Sequence, residues 1–439
     1  MANRIYLCLA HMSEAGLEQK YIQEAFDTNW VAPLGPNVNG FEEDLKAFVG
    51  QGKEVVALTT GTAAVHLSLI ACGVEPGDEV ITQSFTFCAS AHPVTYLGAT
   101  PVFVDSEKET WNMDPDLLEE AIKDRIAKTG KKPKVIMPVA LYGMPYQIDR
   151  ILEIAKRYDI LVVEDAAEGF GSRYDGQVLG TFGRYGILSF NGNKMITTSG
   201  GGALICPNKE EGERVMWYAT QARESYPYYQ HETIGYNYRM SNICAGIGRG
   251  QMTIVNEHIA HHQHVHQLYV ELFSKIDGIE VHSQPANGRY ASNYWLTSIT
   301  IDENLKIKGQ ENAYKEIITS PVGGVPAVIH AASSARTDCQ PNDNVEALRM
   351  ALEKAGIESR PLWKPMHKQP VYCRTNEKLG MRNEELSHGI IRQTSATSVA
   401  YVNGVSENIF KKGMCLPAGP WVKDEDVKRI VETIKANII

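Results

Sequence analysis

What most constrains this chain is a series of short, nearly all-apolar runs separated by helical segments. Glu54–Leu58, Glu79–Thr82, Pro101–Asp105, Lys134–Val139, Ile160–Glu164, Tyr185–Phe190 and Ala203–Cys206 each read as a strand. Between them lie segments of helical character, including Ala63–Cys72, Asp116–Ala127 and Ile148–Tyr158. A strand that is apolar on both faces needs cover on both faces, so the pattern predicts a large, mostly parallel α/β sheet between helices. At 439 residues the chain exceeds one average domain, and two domains are expected. A helical stretch from Ser241 to about Ile276 holds the predicted boundary, dividing a large domain, 1–255, from a smaller α+β domain, 256–439. In the second, Trp295–Ile301 and Ile357–Arg360 read as strands and Val345–Ala355 and Asp424–Asn437 as helices. Residues 302–344 lack a clear period and read as an irregular insertion.

Composition excludes several classes. The formal net charge is -9 with no basic stripe, which argues against nucleic acid as a partner. No run reaches the roughly 18 apolar residues of a membrane span, and the opening residues lack the apolar core of a signal peptide. The 8 cysteines include no Cys-x-x-Cys pair, and Cys88 and Cys206 sit within apolar runs. Buried thiols in a reducing cytoplasm fit that pattern better than disulfides or a zinc site.

In open parallel sheets, ligands bind beyond the carboxyl ends of the strands. Four chemistry-bearing stretches fall there: Thr60-Gly61-Thr62, Phe85–Phe87, Asp165, and Ser189-Phe-Asn-Gly-Asn-Lys194 with Gly200–Gly202 following. Each has a plain reading and a functional one. Thr60–Thr62 is a helix cap or a phosphate site made by helix N-terminal amides. Asp165 is a cap, or a carboxylate that keeps a pyridine nitrogen protonated. Phe87 is core, or an aromatic stacked on a cofactor ring. Lys194 points to water, or bonds the aldehyde of a cofactor whose phosphate Ser189 helps to hold.

Taken together and in order, Glu164-Asp-Ala-Ala-Glu168, Ser189–Lys194 with its glycines, and Gly235-Tyr-Asn-Tyr-Arg-Met-Ser-Asn242 resemble the DegT/DnrJ/StrS family. The likeness extends from Gly35-Pro36 to Cys415-Leu-Pro417. It implies an aspartate-aminotransferase-like fold, fold type I of the pyridoxal 5'-phosphate enzymes, and amino transfer from L-glutamate to nucleotide-linked keto sugars. Lys194 then matches the lysine that bonds the cofactor and shuttles a proton, Asp165 the partner of the ring nitrogen, and Phe87 the stacking position. Gly61, Thr62 and Ser189 match phosphate ligands. Asn237 resembles an asparagine that reaches the phosphate from the neighbouring subunit, so a homodimer with shared sites is implied. Glu168 stands where the family often has glutamine or histidine, beside the ring hydroxyl. Trp363 and His367 resemble a segment on the sugar-nucleotide side, with domain packing the alternative for His367.

The run Ser189–Lys194 with Thr-Thr-Ser-Gly-Gly-Gly after it is most similar to enzymes that aminate C4 of UDP-4-keto-6-deoxy-N-acetylglucosamine. Acceptors linked to dTDP or GDP, aminated at C3 or C4, are the alternatives. Related dehydratases have histidine in place of the lysine, so Lys194 argues against that chemistry. A protein that binds cofactor or sugar nucleotide without turnover is the reading from outside enzymology. His258, His261, His262, His264 and His266 crowd one helix, but without a suitably placed carboxylate or cysteine they are not read as a metal site.

Overall fold

The computed structural model describes residues 4–315, 317–319, 327–329, 339–373, 382–386 and 389–439. The central strands are β1 (Glu54–Leu58), β2 (Glu79–Gln83), β3 (Thr100–Val104), β4 (Val135–Met137), β5 (Leu161–Asp165), β6 (Tyr185–Ser189) and β7 (Gly202–Cys206). Three more join them late in the chain: β8 (Arg382–Glu385), β9 (Ile391–Thr394) and β10 (Val399–Val402). They form one ten-stranded sheet in the order β1-β7-β6-β5-β4-β2-β3-β10-β9-β8. From β6 to β10 every neighbour is parallel. β7 runs antiparallel to both β1 and β6, and β8 and β9 close the far edge as an antiparallel pair.

The α/β layering expected from the apolar runs is present, because Val56, Leu58, Val80, Val135, Val163, Ile187 and Leu204 are buried on one face and Val55, Ile81, Ile136, Val162 and Leu188 on the other. Each such side chain contributes about 1.5–3 kcal/mol by leaving water. Helices α1 (Leu17–Asp27), α2 (Pro36–Val49), α3 (Gly61–Ala71), α4 (Pro115–Thr129), α5 (Ile148–Tyr158), α6 (Lys209–Ala219) and α7 (Asn242–Met252) surround the sheet. The helical stretch after Ser241 breaks at Thr253–Ile254 before α8 (Val255–Phe273).

The later residues do not all stay apart from the sheet. Arg382–Glu385, Ile391–Thr394 and Val399–Val402 return to it as β8–β10, whereas Ile279–Val281, Thr297–Ile301, Gly413–Leu416 and Arg360–Pro361 make a separate antiparallel sheet. That smaller sheet packs with α9 (Asp343–Lys354) and α10 (Asp424–Asn437) around its own core of Ile299, Ile301, Leu348, Leu416 and Ile430. Of the stretch read as an irregular insertion, 302–344, residues 316, 320–326 and 330–338 lie outside the described residues, and Ile317–Thr319 pairs antiparallel with Ala327–Ile329. Among those described, no helix is long and apolar enough to cross a membrane.

Register sets up the site. Gly202, at the start of β7, pairs with Leu58 at the end of β1 and with Ser189 at the end of β6. Two antiparallel steps make β1 parallel to β6, so the ends of β1, β5 and β6 open on the same edge.

Candidate active site

At that edge lies a cavity of roughly 280 Å³ lined by Thr62, Phe87, Asp165, Glu168, Ser189 and Lys194, among others. Thr60 caps α3, its Oγ1 accepting from the Ala63 amide at 2.9 Å. The preceding amides, of Gly61 and Thr62, have no acceptor one turn back within the helix and line the cavity. Gly202 brings β7 flush against this turn: a Cβ there would stand 2.4 Å from the Gly61 nitrogen and 2.5 Å from the Thr60 carbonyl carbon. A Cβ on Gly61 would meet Ser189 Cβ at 3.1 Å. Helix-terminal amides, the helix dipole and the Ser189 side chain thus bound one pocket suited to a phosphate.

Asp165 ends β5 and is buried. Its Oδ2 accepts from Ser90 Oγ at 2.6 Å and its Oδ1 from the Ala167 amide at 3.1 Å. Burial pushes its carboxyl up; the Ser90 hydroxyl, the Ala167 amide and the charge of Lys194 pull the other way. A cationic ring nitrogen placed against it would hold it ionised.

Lys194 sits in the connection between β6 and β7, with its side chain only 14% exposed. Its Nζ donates to Glu168 Oε1 at 3.5 Å and lies 4.0 Å from the centre of the Trp295 ring. Glu168 is buried, which raises its carboxyl pKa against the opposing pull of Lys194 and of the Tyr142 amide. That amide donates to Oε2 at 2.7 Å. Tyr142 adopts φ 52°, a left-handed conformation that costs a non-glycine residue about 1 kcal/mol or more. Its hydroxyl accepts from the Trp363 amide at 2.8 Å, bringing Trp363 to the rim. There the Trp363 ring meets Phe87, half exposed, at 5.3 Å, and its side chain faces the Glu168 carboxylate as a hydrogen-bond donor.

Most residues singled out from sequence therefore converge: Gly61, Thr62, Phe87, Asp165, Glu168, Ser189, Lys194 and Trp363 share one cavity. Two lie elsewhere. His367 is buried outside it, with Nδ1 2.7 Å from Ser84 Oγ and Nε2 3.2 Å from Glu407 Oε1. Asn237 is exposed on the segment that pairs with Thr220. The histidines of α8 disperse to separate partners: His258 to the Met195 carbonyl, His261 to that of Gly419, His262 to that of Tyr294, His264 to Asp424 and His266 to Ser283. Sequence reasoning passed over Ser90, Tyr142, Asn293 and Trp295, whose roles depend on contacts between distant segments. The one local hint was that Asn293-Tyr-Trp295 leads into an apolar strand.

An α/β sheet with a phosphate cradle at a helix N-terminus, a buried aspartate and a lysine at adjacent strand ends defines an aminotransferase of fold type I. The donor set and the glycine cradle fit pyridoxal 5'-phosphate, the cofactor of this class. The chain belongs to the DegT/DnrJ/EryC1/StrS aminotransferase family, whose model matches residues 13–319. It is 40% identical over 434 residues to EpsN of Bacillus subtilis (strain 168), provisionally named a pyridoxal phosphate-dependent aminotransferase, covering 99% of this chain and 96% of that one. It is 31% identical to GDP-perosamine synthase of Escherichia coli O157:H7, covering 98% of each. Among solved structures, a DegT DnrJ EryC1 StrS aminotransferase from Brucella abortus superposes with a TM-score of 0.76 at 25% identity, covering 96% of this chain and 95% of that one.

Proposed function

We propose that this enzyme moves the amino group of L-glutamate onto the keto carbon of a nucleotide-linked sugar, with C4 of UDP-4-keto-6-deoxy-N-acetylglucosamine as the acceptor. The observation that carries the reading is the meeting of Lys194, Asp165 and the first-turn amides of α3 on one cavity. Pyridoxal 5'-phosphate, when bound, supplies an aldehyde that exchanges nitrogen partners and a ring that takes up electron density from an adjoining carbon.

The chain's own residues do the rest. Gly61, Thr62 and Ser189 hold the phosphate, and Phe87 covers one face of the ring. Asp165 keeps the ring nitrogen protonated, since a buried carboxylate favours a proton on a facing base. Lys194 anchors the cofactor through Nζ. Once the amino donor displaces it, Nζ takes a proton from one carbon and returns it to another, as a general base and then a general acid. Glu168 Oε1 accepts a hydrogen bond from Nζ, which orients the amine towards the cavity. Trp363 borders the sugar side. His367 braces the Trp363 segment through Ser84 and Glu407, and in this reading its part in substrate binding is indirect. Exposed Asn237 serves the phosphate of a second copy, which makes the working unit a homodimer. The reaction is assigned to the cytoplasm.

GDP-linked keto sugar is the second reading, favoured by the likeness to GDP-perosamine synthase. The test is direct. Purified protein incubated with pyridoxal 5'-phosphate should turn yellow, glutamate should bleach the visible band, and the correct keto sugar nucleotide should restore it. Restoration by the UDP-linked substrate but not by GDP- or dTDP-linked ones supports the specific assignment. NMR of the product separates C3 from C4 amination. A protein that stays colourless would sink the whole reading.

A further inference from the structure

We infer that Trp295, which reaches the cavity from the lead-in to the smaller sheet, is a positioning residue for the amine of Lys194. The inference rests on Lys194 as the residue that bonds the cofactor.

Two separate contacts carry it. The indole Nε1 donates to the Asn193 carbonyl at 2.6 Å, gripping the backbone immediately before the lysine. The face of the same ring lies 4.0 Å from Lys194 Nζ, within the range where an aromatic face attracts a cation. Trp295 is 1% exposed, so the ring has no freedom to swing away. The loop it grips has little stiffness of its own. It reads Asn191-Gly192-Asn193, residues that favour turns and tolerate many conformations, and its local brace is the Lys194 amide donating to the Asn191 carbonyl at 2.9 Å.

Trp295 is itself tied to the opposite wall. Its amide donates to Asn293 Oδ1 at 2.9 Å, while Asn293 Nδ2 donates to the carbonyls of Glu168 and Phe170, each at 2.9 Å. One buried amide thus fixes the spacing between Glu168 and Trp295, the two groups that bracket Lys194 Nζ. The room for that amide is made by Gly143, at φ 91°, where a Cβ would fall 1.8 Å from Asn293 Oδ1. The amine is therefore held by a frame built from three distant parts of the chain, and the loop that carries it is clamped from above.

Trp295→Phe keeps an aromatic face and removes the donor to Asn193; Trp295→Leu removes both. Two readouts are followed: deuterium exchange of backbone amides in the protein freed of cofactor, and the single-turnover rate with glutamate in the loaded enzyme. For Trp295→Phe, exchange at residues 192–196 should quicken about tenfold while that of Thr297–Ile301 is unchanged. The single-turnover rate should fall roughly 10- to 100-fold with the glutamate dissociation constant within about twofold, as expected when a reacting group is misplaced while substrate binding stays intact. Trp295→Leu should fall further. Unchanged local exchange, equal loosening of Thr297–Ile301, or a rate within about twofold of the parent would overturn the inference. Should Trp295→Leu fail to fold, Trp295→Phe alone decides. Failure of the proposed function would show differently, as a parent protein that stays colourless with pyridoxal 5'-phosphate or as turnover retained by Lys194→Ala.

Discussion

Substituting Gly202 by alanine tests whether the phosphate cradle depends on the contact between β7 and the turn before α3. The added Cβ would stand 2.4 Å from the Gly61 nitrogen, 2.5 Å from the Thr60 carbonyl carbon and 2.7 Å from the Thr60 oxygen. Ordinary contact begins near 3.4 Å, so backbone must retreat by about 1 Å; overpacking of this kind costs about 1–3 kcal/mol. In the cofactor-free protein the Thr60–Thr62 turn is expected to shift away from the added methyl. With phosphate bound, the amides of Gly61 and Thr62 must return to their place, and the strain reappears as weaker affinity. At 1.4 kcal/mol per tenfold, the cofactor dissociation constant should rise about 5- to 150-fold. Absorbance titration of the cofactor-free protein measures it. The matched control is Gly200→Ala, two residues earlier, where an added Cβ meets nothing within 4 Å; its unfolding free energy should stay within about 0.5 kcal/mol of the parent. Should Gly202→Ala bind cofactor within about twofold of the parent, the steric argument for the cradle is wrong.

Other expectations can be checked alongside it. Lys194→Ala should lose turnover and, after borohydride treatment, carry no cofactor mass, whereas the parent chain does. Asp165→Asn should slow the glutamate half-reaction by about 100-fold or more, since a buried charge opposite the reacting group is removed; stopped-flow bleaching of the visible band reads this. Glu168 has a raised folded-state pKa because it is buried, so the native state holds its proton to higher pH than the unfolded chain does. Its stabilising contribution is full below about 4.5, the ordinary value, and is lost as pH rises through the folded value. Glu168→Gln should therefore gain on the parent in denaturant midpoint as pH is raised above 4.5 in the cofactor-free protein. Glu407 has the opposite sign. Burial alone would raise it, but His367 and Lys368 outweigh that and hold it at about 2. Glu407→Gln should be less stable than the parent at neutral pH, with the gap closing as pH falls from 4.5 towards 2.

The large sheet and most of the site were legible in the chain because both rest on local patterns. Runs such as Val162-Val163 and Ile187-Leu188 declare buried strands, and residues at strand ends inherit a common edge once the strands are parallel. The family likeness then gave Lys194, Asp165 and Ser189 a shared purpose. Less legible was the return of the late strands β8–β10 to the sheet. Arg382-Asn-Glu-Glu385 is exposed and polar, so β8 lacks the apolar signature of the inner strands, whereas Val399-Ala-Tyr-Val402 is buried and apolar but lies nearly 300 residues from β3, its partner. His367 illustrates the converse: its motif pointed to the substrate side, yet both ring nitrogens are occupied by Ser84 and Glu407.

The sequence by itself determined the parallel sheet and the edge on which Thr62, Asp165, Ser189 and Lys194 gather, because periodicity and turn residues act over a few positions. Only the tertiary structure decided how Lys194 is held. Glu168 lies 26 residues before it, Asn193 is bonded by Trp295 across 102 residues, and Asn293 spans 125 residues to Glu168. Hydrogen bonds and ring contacts at such separations leave no periodic trace, so the frame around the amine emerges only when the two sheets pack together.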